Sequence, residues 1–391
     1  MLGRWPTIIT LWLIGVLAAA QLAKFSVIAP LLREQFDLSL PATGLLISLL
    51  EVGGGLFGFV AGLALGRIGC RRSLLAGIAI LALTSLLEAL VTSAGALFAV
   101  RAVEGIGYLL AVIAAPTAIA GIADDHSRPR ALALWSSFVP VGIAVGSAIT
   151  SMAATPIGVR GIMLLWAALL AAAIVPVLRL PISGGDSRRI ALPAPAAWIS
   201  TLAFGVYTLF LCALTMLLPT FLIEQRSAAL GEAGMIAAIA SLSALPASGL
   251  AILAMRGGKL SSRRLLAMAI PALVATALLV PLAFGGQVTG LATTGAIIVA
   301  AVLLSGLVSP LMFARLPILA GANSPHDPRI ATANGLLTQF GAGGALIGPP
   351  LGGLVVGWWG WAGLGLTIAL LALVMLAAVA LAERIGSAGR G

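Results

Sequence analysis

Arg101 and Glu104 stand three residues apart in an otherwise apolar run, and Tyr108 follows four residues later. At helical spacing these side chains share one face. A guanidinium beside a carboxylate can lock as a static pair. It can also change partners when the carboxylate takes a proton. Placing such charge inside a bilayer costs about 2.5–3.5 kcal/mol per Arg, Lys or Asp on insertion scales. At ~1.5 Å per residue, Arg101 lies ~8 Å from the outer end of its helix and Glu104 ~12 Å. Snorkelling rescues the long Arg101 side chain more readily than the deeper Glu104. A role in a transport pathway and a purely structural pair therefore both stand.

Other charges sit in apolar surroundings. Lys24 lies toward the outer end of the first apolar run with Gln21 on its face. It either snorkels or faces a cavity, where Glu51 is a plausible partner. Glu51 falls near mid-depth of the second run, on a face continued by Ser48, Gly55, Gly58 and Gly62. Small residues at that spacing mark close helix packing, so the carboxyl must be paired, protonated or wet. Arg315 lies between Pro310 and Pro317. Those prolines free backbone carbonyls and fit a broken or gating helix, so Arg315 reads as a snorkelling, gate or ligand residue. Glu88, near the outer end of the third run, reads as an interfacial residue. In the C-terminal half the expected cavity residues are polar and uncharged: Tyr207, Asn334 and Gln339.

These residues need elements to hold them, and composition says which. Of 391 residues, 61% are hydrophobic and only 9% are charged. A soluble domain carries about 25% charged residues, so most of this surface must face lipid. A spanning helix takes about 20 apolar residues. The apolar runs are continuous rather than alternating, which excludes a transmembrane β-barrel. Helices are expected near 7–30, 42–66, 73–93, 96–121, 131–153 and 160–180, then near 197–223, 232–255, 264–284, 290–320, 332–357 and 361–382. Arg4 and the run through Ala20 imitate a signal peptide. The run continues to Pro30, so a permanent helix is expected.

Charge orients the twelve helices. With both termini in the cytoplasm, sixteen Lys and Arg fall in cytoplasmic segments and three, Arg33, Arg160 and Arg226, fall outside. That bias follows the positive-inside rule. It accounts for the net charge of +10 without nucleic acid. Cys70 and Cys212, and His126 and His326, form no metal-ligand spacing. Cys70 is expected in a cytoplasmic loop, and no cofactor or metal is expected.

The chain repeats itself. Gly15-Val16 and Glu34-Gln35 match Gly205-Val206 and Glu224-Gln225 at one displacement, with Pro30 and Pro219 near corresponding ends. His126 and Pro129-Arg130 match His326 and Pro328-Arg329, and Gly142 matches Gly341. Duplication of a six-helix unit follows, with bundles at 1–180 and 197–391 joined by a polar linker at 181–196. The charges concentrate in the first bundle, which suggests that this half handles protons.

Gly62-Leu63-Ala64-Leu65-Gly66-Arg67-Ile68-Gly69-Cys70-Arg71-Arg72 resembles the signature loop G-x-x-x-D-R-x-G-R-R of the major facilitator superfamily. Arg67, Gly69, Arg71 and Arg72 match, whereas Gly66 replaces an Asp that in the family helps lock the cytoplasmic gate. Arg101 through Gly107 resembles the family motif R-x-x-x-G-x-G, whose Arg is associated there with proton coupling. Gly348-Pro349-Pro350-Leu351-Gly352-Gly353 is similar to a family packing motif. The runs Glu104–Tyr108, Ala115-Pro116-Thr117, Ala131–Trp135 and Pro140-Val141-Gly142 resemble the cyanate and nitroimidazole permease branch. The family's helix-five antiporter motif is matched only in part, by Pro140, Gly142 and Gly146.

The resemblance implies a monomeric, twelve-helix transporter of the inner membrane. It would work by alternating access, and Lys24, Arg101 and Arg315 as positive sites with Glu51 or Glu104 as proton carrier point to a small polar or anionic solute with protons as the coupling ion. The alternative is proton-driven efflux of a drug or amphipathic metabolite. No nucleophile–base pair, phosphate loop or metal cluster supports an enzyme.

Overall fold

The computed structural model describes residues 4–123, 131, 134–135, 137–180, 191–254, 261–288, 290–322 and 328–388. His126, His326, the Pro129-Arg130 repeat and the linker from 181 to 190 lie outside the described residues. Among the described residues every regular element is helical. Lipid offers no partner to backbone N–H and C=O groups, and a helix satisfies them within itself.

The first half runs through α1 (Arg4–Phe36), α2 (Leu40–Ser48), α3 (Val52–Ile68), α4 (Cys70–Glu88), α5 (Ala94–Ile122) and α6 (Phe138–Leu178). The second runs through α7 (Pro195–Met216), α8 (Leu218–Arg226), α9 (Leu230–Leu242), α10 (Ala244–Ala254), α11 (Ser262–Phe284), α12 (Leu291–Gly306), α13 (Val308–Leu319) and α14 (Pro328–Ala388). Serines at 39, 93 and 261 cap α2, α5 and α11 by accepting from the backbone N–H three residues on.

Ten of the described helical stretches are long and apolar enough to cross a membrane. Two of them, α6 and α14, are hairpins. Gly158 (φ 66°) and Gly360 (φ 68°) interrupt them in the left-handed region that glycine tolerates. Trp166 donates its indole N–H to Thr150 at 3.1 Å, sixteen residues away. A straight helix would separate those residues by ~24 Å. In α14 the Leu364 side chain reaches Gly352, a separation a straight helix would stretch to ~18 Å. Loops expected at 154–159 and 358–360 are thus single-residue reversals.

Several expected helices are discontinuous. A 3-10 turn, Leu49–Glu51, separates α2 from α3. In the second half the breaks between α7 and α8, α9 and α10, and α12 and α13 each precede a proline by two or three residues: Pro219, Pro246 and Pro310. Proline has no N–H to bond the carbonyl four residues back, so the ladder gives way there.

Buried apolar side chains gather into two main clusters. One draws almost wholly on residues 8–180, the other on residues 203–379. The outer surface carries Leu56, Phe57, Val60, Leu278, Leu366 and Leu370 exposed, as a lipid-facing wall should. Trp358 and Trp359 stand exposed beside Gly360, and Trp5 and Trp198 at the opposite end. Such placement suits the two membrane–water interfaces.

The repeated glycines mark equivalent seams. Gly142 packs on Val16 and Ala19 of α1, and Gly341 packs on Phe204 of α7. Between the halves, α2 and α3 run against α14 with backbone nearly touching backbone. A Cβ on Gly44 would lie 2.3 Å from the Pro349 carbonyl oxygen. Ser48 donates to the Leu346 carbonyl at 2.6 Å in the same seam. At the Gly158 end, Ser26 donates to the Met216 carbonyl at 2.6 Å, and Arg33 pairs with Glu224.

Candidate functional site

Three helices of the first half converge on one buried charge cluster. Helix α1 contributes Lys24, the last turn of α4 contributes Ser85 and Glu88, and α5 contributes Arg101 and Glu104. The Lys24 ammonium donates to Glu88 Oε2 at 2.7 Å, to Ser85 Oγ at 3.1 Å and to Glu104 Oε1 at 3.4 Å. Arg101 Nη1 donates to Glu104 Oε2 at 2.5 Å. All four charged side chains have 0% exposure. Snorkelling is therefore not how Lys24 or Arg101 is accommodated. Two cations and two carboxylates balance, and balance is what lets charge sit out of water.

Arg101 also organises the break in the second span. Its Nε donates to the Leu46 carbonyl at 3.2 Å, and Nη2 donates to the carbonyls of Ile47 and Gln21 at 3.0 Å. Leu46 and Ile47 lie just ahead of the 3-10 turn, where the α-helical ladder stops supplying donors. The guanidinium fork supplies them instead. Its carbon lies 4.1 Å from the centre of the Phe25 ring, and the Lys24 ammonium lies 5.0 Å from the same ring. Both cations thus gain a π-face as well as a carboxylate.

The expected Lys24–Glu51 pair does not form. Lys24 faces α4 and α5, whereas Glu51 faces the boundary between the halves. Glu51 and the buried Tyr108 are near enough to interact electrostatically. Its Oε2 lies 3.6 Å from a Cβ position on Gly54, a glycine that packs on Ala342 of α14. Cys212 of α7 stands near enough to act on both Glu51 and Tyr108 electrostatically. Tyr108 shares a helix with Arg101 and Glu104 yet serves this second, more central group.

The remaining expected residues are dispersed. Tyr207 is buried in an aromatic cluster, tilted against Phe204 and edge-on to Phe210. Gln339 joins the halves, its Oε1 accepting from the Phe59 backbone N–H at 3.3 Å. Asn334 is exposed, one turn below Thr338, whose hydroxyl donates to its carbonyl. Arg315 makes a two-pronged pair with Glu383: Nε to Oε1 at 2.9 Å and Nη2 to Oε2 at 2.5 Å. Ser262 bridges the same groups. This second buried pair ties α11, α13 and α14 together near the end opposite Gly158.

In the signature loop, Gly69 alone separates α3 from α4. Arg71 donates to the Leu178 carbonyl at the end of α6, and Arg72 is exposed. Cys70 corrects an expectation. It is not a loop residue but the buried first residue of α4. Gly62, Gly66 and Arg67 lie on α3, and their surroundings fall outside the described residues.

Two charged partners escaped the sequence reading. Glu88 is a member of the cluster rather than an interfacial residue, and Glu383 anchors Arg315. Both occupy helix ends, where a carboxylate normally meets water, and their cations lie more than sixty residues away. Among the described residues, no group of three His, Cys, Asp or Glu is placed to hold a metal ion.

The helices thus gather in two sets, with hairpins at tight glycines and buried charge pairs in both. The chain matches the model of the Major Facilitator Superfamily over residues 11–324. It belongs to that superfamily and is a transporter, not an enzyme. Among solved structures it is similar to a bacterial homolog of the human lysosomal transporter Spinster in an inward-facing, unoccupied conformation. The TM-score is 0.77 at 16% identity, covering 97% of each chain. The occupied inward-facing form of that homolog aligns at a TM-score of 0.76 and 16% identity, again over 97% of each chain. These likenesses concern the fold. No functionally curated protein matches the chain.

Proposed function

We propose that the chain is a proton-coupled secondary transporter that moves a small polar or anionic solute by alternating access. On this reading it works as a monomer in the inner membrane, with both termini cytoplasmic. Counting each hairpin as two passes gives twelve crossings, in six-helix bundles at 1–180 and 197–391 joined by the linker at 181–196. The two separate apolar clusters support that division. The inward-facing state of the Spinster homolog supports alternating access by fold analogy. Assignment to the cyanate and nitroimidazole permease branch rests on the sequence runs from Glu104 to Gly142.

The observation that carries the proposal is the closed, charge-balanced cluster of Lys24, Glu88, Arg101 and Glu104. Buried ionisable groups in a transporter mark ion pathways and proton relays by default. Adding one proton leaves the cluster with one uncompensated positive charge. That change can bias one half against the other and favour an anion nearby. The absence of charge in the expected cavity residues of the second half suits a solute recognised by hydrogen bonds and one net charge. Glu51 with Tyr108 and Cys212, at the boundary between the halves, is then the group nearest the solute.

The test begins with a thermal-shift panel of anions, amino acids and drug cations on purified protein, since a bound solute stabilises in proportion to occupancy. The best stabiliser is then assayed in proteoliposomes with and without a pH gradient. Wild type should accumulate it when the gradient is applied. The double variant Glu88→Gln/Glu104→Gln should exchange solute at equilibrium but not accumulate it. Full pH-driven accumulation by the double variant would make the cluster structural and Glu51 the leading proton site.

A further inference from the structure

The two carboxylates of the cluster are not equivalent. Glu104 is fully engaged: Oε2 accepts from Arg101 and Oε1 from Lys24. Glu88 accepts from Lys24 through Oε2 only, and its buried Oε1 faces no donor. An ionised carboxylate oxygen buried without a donor keeps its full desolvation cost, and a proton on Oε1 relieves it. The cluster thus contains a place for one proton, on the Glu88 side.

Beside that place a cavity of about 110 Å³ opens at the Gly158 end. Gln35, Glu88, Ala89, Leu97, Arg160 and Met163 are among the residues lining it. The volume is several times the ~10–15 Å³ that one water requires. It lies inside the first half, among α1, α4, α5 and α6, away from the boundary where α3 meets α14. The wall at Glu88 is closed as the structure stands. The residue keeps 5% exposure while its side chain keeps none.

We propose that Glu88 is the proton-exchanging group of the cluster and that it exchanges with the aqueous phase through this vestibule, separately from the route taken by the solute. This rests on the proton-coupled reading above and assigns its proton site and path. A proton entering from the vestibule bonds to Glu88 Oε1, and the Lys24–Glu88 pair loses its anionic partner. Lys24 then leans on Glu104, which it already touches. The charged groups facing Glu88 are Lys24 from α1, Glu104 and Arg101 from α5 and, across the vestibule, Arg160 from α6.

Difference infrared spectroscopy of the purified protein in lipid tests this without a known solute. A pH step should reveal the carbonyl band of a protonated buried carboxyl, and transfer to D2O should shift it. Glu88→Gln should abolish the band and Glu88→Asp should restore it at a shifted position. Glu104→Gln should leave a band. Ala89→Trp fills the vestibule beside Glu88. It should keep the band but slow its D2O shift about tenfold, the change that ~1.4 kcal/mol of added barrier produces. A band that survives Glu88→Gln and vanishes in Glu104→Gln or Glu51→Gln overturns the assignment while keeping proton coupling. An unchanged exchange rate in Ala89→Trp overturns the route. No titrating band in wild type overturns both this inference and the proton-coupled reading.

Discussion

Replacing Arg101 by Ala removes two kinds of interaction, and the structure says which dominates. The guanidinium donates to three carbonyls, of Leu46, Ile47 and Gln21. Hydrogen bonds between membrane helices average about 0.6 kcal/mol, so the three together contribute about 2 kcal/mol. The substitution also strands Glu104, and breaking a buried pair by removing one partner costs about 3–5 kcal/mol. Lys24 remains 3.4 Å from Glu104 Oε1 and softens that loss toward the lower limit. The expected total for Arg101→Ala is then about 5 kcal/mol. Glu104→Gln in the same background removes the stranded charge, so the double variant should recover to about 2 kcal/mol. Unfolding in mixed micelles with increasing SDS measures all four corners of this cycle. A double variant no more stable than Arg101→Ala alone would refute the argument, because it would show that the lost carbonyl contacts carry the cost.

Further expectations follow the same logic. Arg315→Ala should destabilise by about 3–5 kcal/mol, because it strands Glu383. Solute exchange per folded molecule should be preserved, and a loss of exchange with stability intact would move Arg315 into the transport pathway. Gly44→Ala places a methyl 2.3 Å from the Pro349 carbonyl oxygen, and overpacking there should cost about 1–3 kcal/mol. Gly343→Ala, with nothing within 4 Å, is its control, and equal melting shifts in the two variants would contradict the backbone-tight seam. Orientation calls for cysteines at exposed positions, because native Cys70 is buried and would resist labelling from either side. An impermeant thiol reagent on intact cells should label Arg160→Cys and not Arg72→Cys, and the reverse pattern would invert the topology.

Apolar run length made the spans legible, because lipid imposes it on every crossing helix. The same property hid the breaks. Pro219 and Pro246 sit inside continuous apolar stretches, so hydropathy carries across them although the hydrogen-bond ladder does not; at Pro310 the second proline, Pro317, marked the broken helix in the sequence. The Arg101–Glu104 pair was legible because a helix places residues three apart on one face. Glu88 was not, since its partner Lys24 is 64 residues distant and meets it only when α1 packs on α4. For the same reason Lys24 and Glu51 read as neighbours. Both belong to adjoining spans, but rotation of each helix about its own axis decides which pairs meet. Glu383 needed the contact of α13 with α14. Its signal in sequence is a lone carboxylate near the end of a long apolar run, as common at an interface as in a core.

The balance of the buried cluster also bears on membrane voltage. Moving one elementary charge through 100 mV exchanges about 2.3 kcal/mol with the field. With Lys24, Arg101, Glu88 and Glu104 all ionised, the four charges sum to zero. Reorientation of the first half then carries no net charge from this cluster across the potential. The cell's voltage does little work on that step. Once one carboxylate holds a proton, the same motion carries a single positive charge. On the proton-coupled reading proposed above, the field would then act on the protonated cluster, offset by the charge of any anion carried with it, and not on the unprotonated one.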